Sequence, residues 1–575
     1  MSLSIRLDAV YVPAADVAGV MRLRLVNAGQ LPLTGFRLVL LSVVQLTPGP
    51  DSAVELVGRT SGCHVLAPPP GFELGPGRVW ELGPLSCGHA PGHANDGPAS
   101  AFVILADGST FPVAVGRTAV TQPVRVGRSA PPLLSLATGS DVASRAWAAA
   151  SACERRLFPD DGAVLGESGA TVTASVVDTS SAEAFTIDGL DVTAGSEAAL
   201  RWAFLTLARD RREGADPAGR HTPVHEWRGL HIDLARQFLP AVDVDWLLDV
   251  AAWRRLNRVH LHLTDDEAWR VPISSYPALT QVGAWRGHGL AVPPLLGSGA
   301  DAFGGAYSAD DVGSWVRRAA ELGVELVPEI DLPGHCFAAL AAVPELRDPD
   351  DSSGAVSVQY FVDNVLVPGL PSTRPFLEAV FGELADLFPG PWVHLGGDEV
   401  PAGAWAGSPA AHRYAAERGL DGPDAIASAF MADVIDLVKA ATGRRIGVWQ
   451  EAAESGALHP DDGYVVGWKS GADCRRLAAA GYQVVAAPAE VYYLDMAVDT
   501  EWDSPGASWA GSSSVADIEV YDVTADWSDT ERANLLGIQA CLWTEHVHDH
   551  ATLHSLLIPR LDAIAASAWT SDPRF

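Results

Sequence analysis

The chain has 575 residues, with 71 Asp and Glu against 39 Lys and Arg, a formal charge of −32. That balance argues against nucleic acid or an anionic membrane surface as partner, because both demand a basic face. An apolar content of 48% rules out a disordered chain, and at roughly 100–200 residues per domain the length accommodates about three domains.

Residues 1–125 read as an all-β domain. Ile5, Leu7, Ala9 and Tyr11 alternate with polar neighbours, short β-rich runs follow at Val20–Val26, Phe36–Val44 and Phe102–Leu105, and Asp107-Gly108 is a hairpin signal. A small sandwich is expected, with carbohydrate binding or homodimer contacts as its candidate roles. No basic stretch followed by an apolar one opens the chain, so a cytoplasmic location is expected, or secretion if a leader has been removed. No apolar run approaches the ~20 residues needed to span a membrane. Six cysteines without a C-x-x-C pair fit neither a disulfide scaffold nor a zinc ribbon; Cys63 and Cys87 share one domain and could bridge.

Residues 126–222 have mixed texture and read as an α+β domain. Ala184–Thr193 suggests paired strands, and Ser196–Arg209 a helix capped by Ser196. From residue 223 to 575, strands alternate with helices. Candidate strands are Gly229–Ala235, Arg258–Thr264, Val324–Ile330, Trp392–Gly396, Arg445–Gln450, Tyr464–Lys469, Tyr482–Ala487 and Gly537–Trp543. Between them, Trp246, Leu247, Val250 and Trp253 share one helical face, and Val312, Trp315, Val316 and Ala319 another. The fold class expected is α/β, a (β/α)8 barrel, whose chemistry sits at the C-terminal ends of the strands.

Those ends carry carboxylates and tryptophans. In order they offer Asp233 with Arg236, His262 with Asp265, Glu329, Asp331 and His335, then Asp398-Glu399, Trp449 with Glu451, Trp468, Tyr493 with Asp495, and Trp543 with Glu545. Aromatic faces stack on the C–H faces of sugars and carboxylates accept from hydroxyls, so the mouth suggests a carbohydrate site. Asp398-Glu399 follows Gly396-Gly397, where the backbone can turn sharply. Adjacent carboxyls in a semi-enclosed pocket repel, and one of them tends to keep its proton, as acid catalysis of glycoside cleavage requires.

The runs RGLHIDLARQFLP, LNRVHLHLTDDEAWR, VELVPEIDLPGH, WVHLGGDEV, YYLDM, SWAG and CLWTE occur in this order. Together they resemble glycoside hydrolase family 20, the β-N-acetylhexosaminidases. The resemblance covers residue 130 or so onward, and the 126–222 region resembles the small domain preceding the barrel in that family. It implies an exo-acting, retaining hydrolase for terminal β-linked GlcNAc or GalNAc, needing no cofactor or metal, in which the substrate's 2-acetamido oxygen is the nucleophile. By that resemblance Glu399 is the general acid, Asp398 orients the acetamide N–H, and Tyr493 bonds the acetamide oxygen. Arg236, Asp495 and Glu545 would hold the 3-, 4- and 6-hydroxyls. Trp449 and Trp468 would enclose the acetamide methyl, Trp543 would lie under the ring, and Trp509 towards the leaving group. Asp265 and His335, grouped with the binding residues, would form a relay behind Glu399, supported by His262 and Asp331. The loop Gly287–Gly305 and the segment Pro401–Pro423 could reshape the leaving-group side.

Three other readings compete with this one. His260-x-His262 with Asp265 would suit a metal-dependent amidohydrolase, but the later strand ends carry tryptophan rather than histidine. A non-catalytic sugar-binding barrel would have lost Glu399 or Tyr493, and a relative releasing a disaccharide would have lost the groups for the 4- and 6-hydroxyls.

Overall fold

Eight parallel strands close a barrel in chain order: Trp227–Asp233, Arg258–His262, Glu325–Leu332, Trp392–Gly396, Arg445–Trp449, Gly463–Gly467, Gln483–Ala486 and Leu535–Leu542. Each overlaps the strand expected from the sequence, and the eighth pairs with the first from Trp227↔Gly537 to Ile232↔Leu542. Helices cover the outside. Ala309–Leu322 is capped by a reciprocal pair, in which the Ser308 hydroxyl accepts from Asp311 N–H and the Asp311 carboxylate from Ser308 N–H. It buries Val312, Trp315 and Ala319 on one face. The computed structural model describes residues 3–12, 18–49, 52, 54–89, 91, 93–118, 134–137, 140–166, 169–178 and 181–572. The domain junction expected near residue 125 lies outside them. Among the described residues no helix is long and apolar enough to cross a membrane, and all six cysteines are free and buried.

The barrel interior departs from the usual filling of branched aliphatic residues. Trp227, Trp392 and Tyr464 pack against one another with ring centroids 4.7–5.6 Å apart. Above them stand Trp449 and the buried His231, His260, His394 and Glu329. An interior this polar is stable only when its groups satisfy one another, and that requirement shapes the site described below.

The middle region is a seven-stranded sheet covered by the helices Asp141–Leu157 and Glu197–Glu213. Ser196 caps the second, accepting from Ala199 N–H at 3.1 Å. Phe185–Asp188 and Asp191–Ala194 form the expected hairpin. The last strand of this sheet is Trp569–Asp572, which follows the whole barrel in sequence and pairs with Gly219–Pro223. The core is continuous from these helices into the barrel.

The N-terminal β-domain differs in one respect from two separate sheets. Nine of its strands form a single order, joined through a parallel pairing of Ile5–Val12 with Thr110–Val115, and Leu33–Thr34 pairs separately with Glu73–Leu74. Both halves of the sheet contribute to one core, with Leu7, Leu23 and Leu82 packed among Leu38, Leu40 and Val103. The sheet is therefore folded over on itself in a sandwich-like way.

Trp569 ties the end of the barrel to the middle domain. Its ring meets Trp202 edge-on at 5.8 Å, and the guanidiniums of Arg228 and Arg255 each lie 4.8 Å from its centre. Trp569→Ala should cost about 3–5 kcal/mol in urea denaturation, through a cavity that these neighbours cannot fill. A loss under about 1 kcal/mol would show that the strand docks without this side chain.

Candidate active site

Ten of the fourteen residues singled out in the sequence line one cavity of about 790 Å³ at the C-terminal end of the barrel: Arg236, Asp398, Glu399, Trp449, Trp468, Tyr493, Asp495, Trp509, Trp543 and Glu545. The other four, His262, Asp265, Asp331 and His335, stand behind its wall, fully buried. Asp265 and His335 thus act on the cavity through other residues.

The fourth strand places the carboxyl pair. After Trp392–Gly396 the backbone turns through Gly396 (φ 68°) and Gly397 (φ 95°), and a Cβ on Gly396 would run into the Asp331 carboxyl. Glu399 follows at φ 47°, a left-handed conformation costly for a side chain, and His335 on the neighbouring loop has φ 51°. Strain of this kind persists where surrounding structure dictates it, typically at functional sites. Here it brings His335 Nε2 to 3.5 Å from Glu399 Oε2 and 3.9 Å from Asp398 Oδ2. Glu399 remains 28% exposed at the cavity surface, whereas Asp398 is buried. Burial pushes the Asp398 carboxyl up to about 7, with His335 opposing and Glu399 adding to the rise. Asp331 is raised well above the carboxylate range by burial and by Asp398 beside it.

Behind the pair runs a line of alternating acids and bases. His335 Nδ1 donates to Asp265 Oδ1 at 3.0 Å, Asp265 Oδ2 accepts from His262 Nε2 at 2.9 Å, and His262 Nδ1 donates to Glu329 Oε2 at 2.7 Å. With a carboxylate on each ring nitrogen, His262 must carry both protons. Burial opposes that charge, but Glu329 and Asp265 outweigh it and raise its pKa well above the ordinary value. His335 is raised in the same way, burial opposing and Asp265 prevailing. Burial would likewise raise Asp265, yet Arg236 and His335 hold it well below its usual range.

Arg236 is gripped from four sides. Its guanidinium lies 2.6 Å from Asp265, 3.1 Å from Glu267, 3.6 Å from Asp233 and 3.9 Å from Glu545, and 4.9 Å from the ring centre of Trp543. Such a cation is fixed before any ligand arrives. Asp233 also accepts from Thr544 N–H and hydroxyl at 3.0 and 2.9 Å, locking the first strand's end to the eighth's.

The aromatic residues form a box. Tyr493 stacks on Trp468 at 6.2 Å and meets Trp509 edge-on at 5.9 Å, and Trp449 lies 5.8 Å from Trp543. Two of the indoles are anchored: Trp449 donates to Glu329 at 2.8 Å and Trp468 to Glu451 at 3.0 Å. Glu329, Glu267 and Glu451 were visible at or near strand ends but received no role from the sequence. Their partners come from other strands, and no local motif signals them.

Buried trios such as His231–His260–Glu329 and Asp331–His335–Asp398 have donor atoms within 4.8 Å of one another, a spacing that a divalent cation accepts. In the first, Glu329 is already engaged by His262, His394 and Trp449 at 2.7–2.8 Å. In the second, His335 Nδ1 is hydrogen-bonded to Asp265, and its Nε2 lies 3.9 Å from Asp398.

The catalytic-domain model of glycosyl hydrolase family 20 matches residues 225–572. The chain is 37% identical over 351 residues to a beta-hexosaminidase of Vibrio furnissii, covering 60% of this chain and 57% of that one. It is 35% identical over 396 residues to a beta-N-acetylhexosaminidase of Cellulomonas fimi, covering 66% of this chain and 72% of the relative. Thus it spans little more than half the length of the Vibrio furnissii relative. The solved exo-beta-N-acetylglucosaminidase of Vibrio harveyi in complex with N-acetylglucosamine superposes with a TM-score of 0.87 at 26% identity, covering 100% of this chain and 96% of that one.

Two measurements test the electrostatics. Nitrogen-15 shifts should show both ring nitrogens of His262 protonated at about pH 8, above the ordinary midpoint of roughly 6.5. Glu329→Gln should lower unfolding stability by about 3–5 kcal/mol, because it strips the anion from a buried set of donors.

Proposed function

We propose that this chain, which belongs to glycosyl hydrolase family 20, removes single β-linked N-acetylhexosamine residues from the non-reducing ends of oligosaccharides, with retention of configuration and the substrate's own acetamide as nucleophile. The observation that carries this reading is the box of Trp449, Trp468 and Tyr493 opening on Asp398 and Glu399 in one cavity. It suits a flat amide bearing a methyl group better than a bare hydroxyl.

The chemistry follows from the positions. Glu399, at the exposed side of the pair, gives its proton to the glycosidic oxygen. The C1–O bond breaks with its electrons passing to that oxygen, while the acetamide oxygen bonds to C1 from the opposite face. The positive charge spreads over the amide N–C–O, and Asp398 accepts the N–H, as Tyr493 holds the acetamide oxygen. Glu399 then takes a proton from water, whose oxygen attacks C1 and releases the acetamide. Two inversions give retention. A tethered nucleophile held in attack geometry supplies the advantage of effective molarity.

The line Glu329–His262–Asp265–His335 keeps a cation beside Glu399 and Asp398, where it offsets charge as the proton departs. Arg236, with Asp495 and Glu545, closes the end where the 4- and 6-hydroxyls would lie, which supports release of one residue at a time.

The test compares initial rates on 4-nitrophenyl β-N-acetylglucosaminide and on the plain β-glucoside. Fast cleavage of the first alone is expected; equal rates would remove substrate assistance. Asp398→Asn should lower kcat about 10²–10³-fold. Glu399→Gln should cost more on a sugar leaving group than on 4-nitrophenolate, which departs without full protonation, within the 10²–10⁴-fold range of general acids. The reaction needs the Asp398 carboxylate, so kcat/KM should fall as the pH drops through about 7. The acidic limb of kcat should lie lower, because the bound amide N–H favours the anion.

A further inference from the structure

The cavity is not built by the barrel alone. Val43, Gly62, His89 and Asn95 of the N-terminal β-domain line the same space as Glu399 and Trp509. This arrangement is fastened at several points to loops of the barrel rim. Ala94 N–H donates to Trp502 C=O at 2.8 Å, and His93 Nδ1 lies 3.0 Å from Glu501 C=O. Trp502 Nε1 donates in turn to Thr118 C=O at 3.2 Å, and its ring stacks on Tyr11 at 5.3 Å and 7°. On other rim loops, the Ser100 hydroxyl donates to Ser298 C=O at 2.9 Å and the Ser61 hydroxyl to Gln359 C=O. The domain is thus fixed to the barrel rim and cannot serve only as a distant appendage.

We infer that the β-domain is part of the substrate site and takes the sugar residues on the leaving-group side of the scissile bond. This inference rests on the function proposed above. The terminal residue fills the buried end of the cavity, among Asp398, Trp449 and Tyr493. In an exo-acting site whatever lies beyond Glu399 belongs to the leaving group, so the outer part of the cavity receives the rest of the oligosaccharide. Its lining has the chemistry for neutral sugars. Trp509 presents an indole that is 61% exposed, a stacking face for a pyranose ring. Among the described residues, no protein group hydrogen-bonds the side chains of the half-buried Asn95 and the exposed His89. A neutral amide and an imidazole offer donors and acceptors to hydroxyls without the cation cluster that an anionic glycan would call for.

His89→Ala and Asn95→Ala in the full chain provide the test, with kcat/KM measured on 4-nitrophenyl β-N-acetylglucosaminide and on β-1,4-linked N-acetylglucosamine di- and tetrasaccharides. Both positions lie at the surface of their domain, and unchanged melting temperatures would show that the fold is intact. The inference predicts aryl glycoside rates within about twofold of the starting protein and losses of about 2- to 10-fold per variant on the oligosaccharides, the yield of one hydrogen bond. Equal losses on both substrate types would overturn it, because the wall would then shape the terminal-residue pocket. Unchanged rates on the oligosaccharides would overturn it too. If the starting protein failed on the aryl glycoside, the function proposed above would fall instead, so the two failures are distinct.

Discussion

One buried carboxylate orders the centre of this protein. Glu329 accepts from His262 at 2.7 Å and from His394 and Trp449 at 2.8 Å, with His260 at 3.0 Å. Those partners come from the second, fourth and fifth barrel strands, so one anion reads the relative positions of three strands besides its own. A buried charge is tolerable only when fully partnered, and the same bonds that satisfy Glu329 orient the indole at the cavity floor and make His262 a cation. Burial would push Glu329 upward, but His394, His262 and His260 together hold it well below its ordinary value. The cavity inherits its rigidity from this arrangement: floor and acid–base line share one anchor.

The same economy recurs around Arg236. Asp265 is bound at once by Arg236, His262 and His335. Arg236, which lines the cavity, and the imidazolium beside Glu399 therefore share one anion. The position of Arg236 and the electrostatics at Glu399 are coupled through a single carboxylate.

Much of this was legible in the sequence because it is local. All eight barrel strands announced themselves as short apolar runs, and the turn at Gly396-Gly397-Asp398-Glu399 carries its glycines where positive φ requires them. What stayed hidden depends on proximity without sequence nearness. Glu329 shares its strand with Glu325 and Asp331, and nothing in VELVPEIDLPGH says that three other strands point donors at it. Adjacency of Asp398 and Glu399 suggested that one would keep its proton, and the acid role expected of Glu399 pointed there; the rise at Asp398 comes from burial, which the sequence does not show. His89 and Asn95 lie in an irregular stretch without periodicity, so their place on the cavity wall could not be read from pattern. Nor could the parallel join of Ile5–Val12 with Thr110–Val115, a pairing between distant segments that no turn specifies.

The strand Trp569–Asp572 completes a sheet whose other members end at Pro223. During synthesis the Gly219–Pro223 edge must therefore wait, unpaired, while the whole barrel is made, tens of seconds at ~5–20 residues per second. Exposed strand edges invite pairing with other chains. The middle domain cannot finish folding on the ribosome ahead of the barrel, and the two must close together, with Trp569 as the last piece of both.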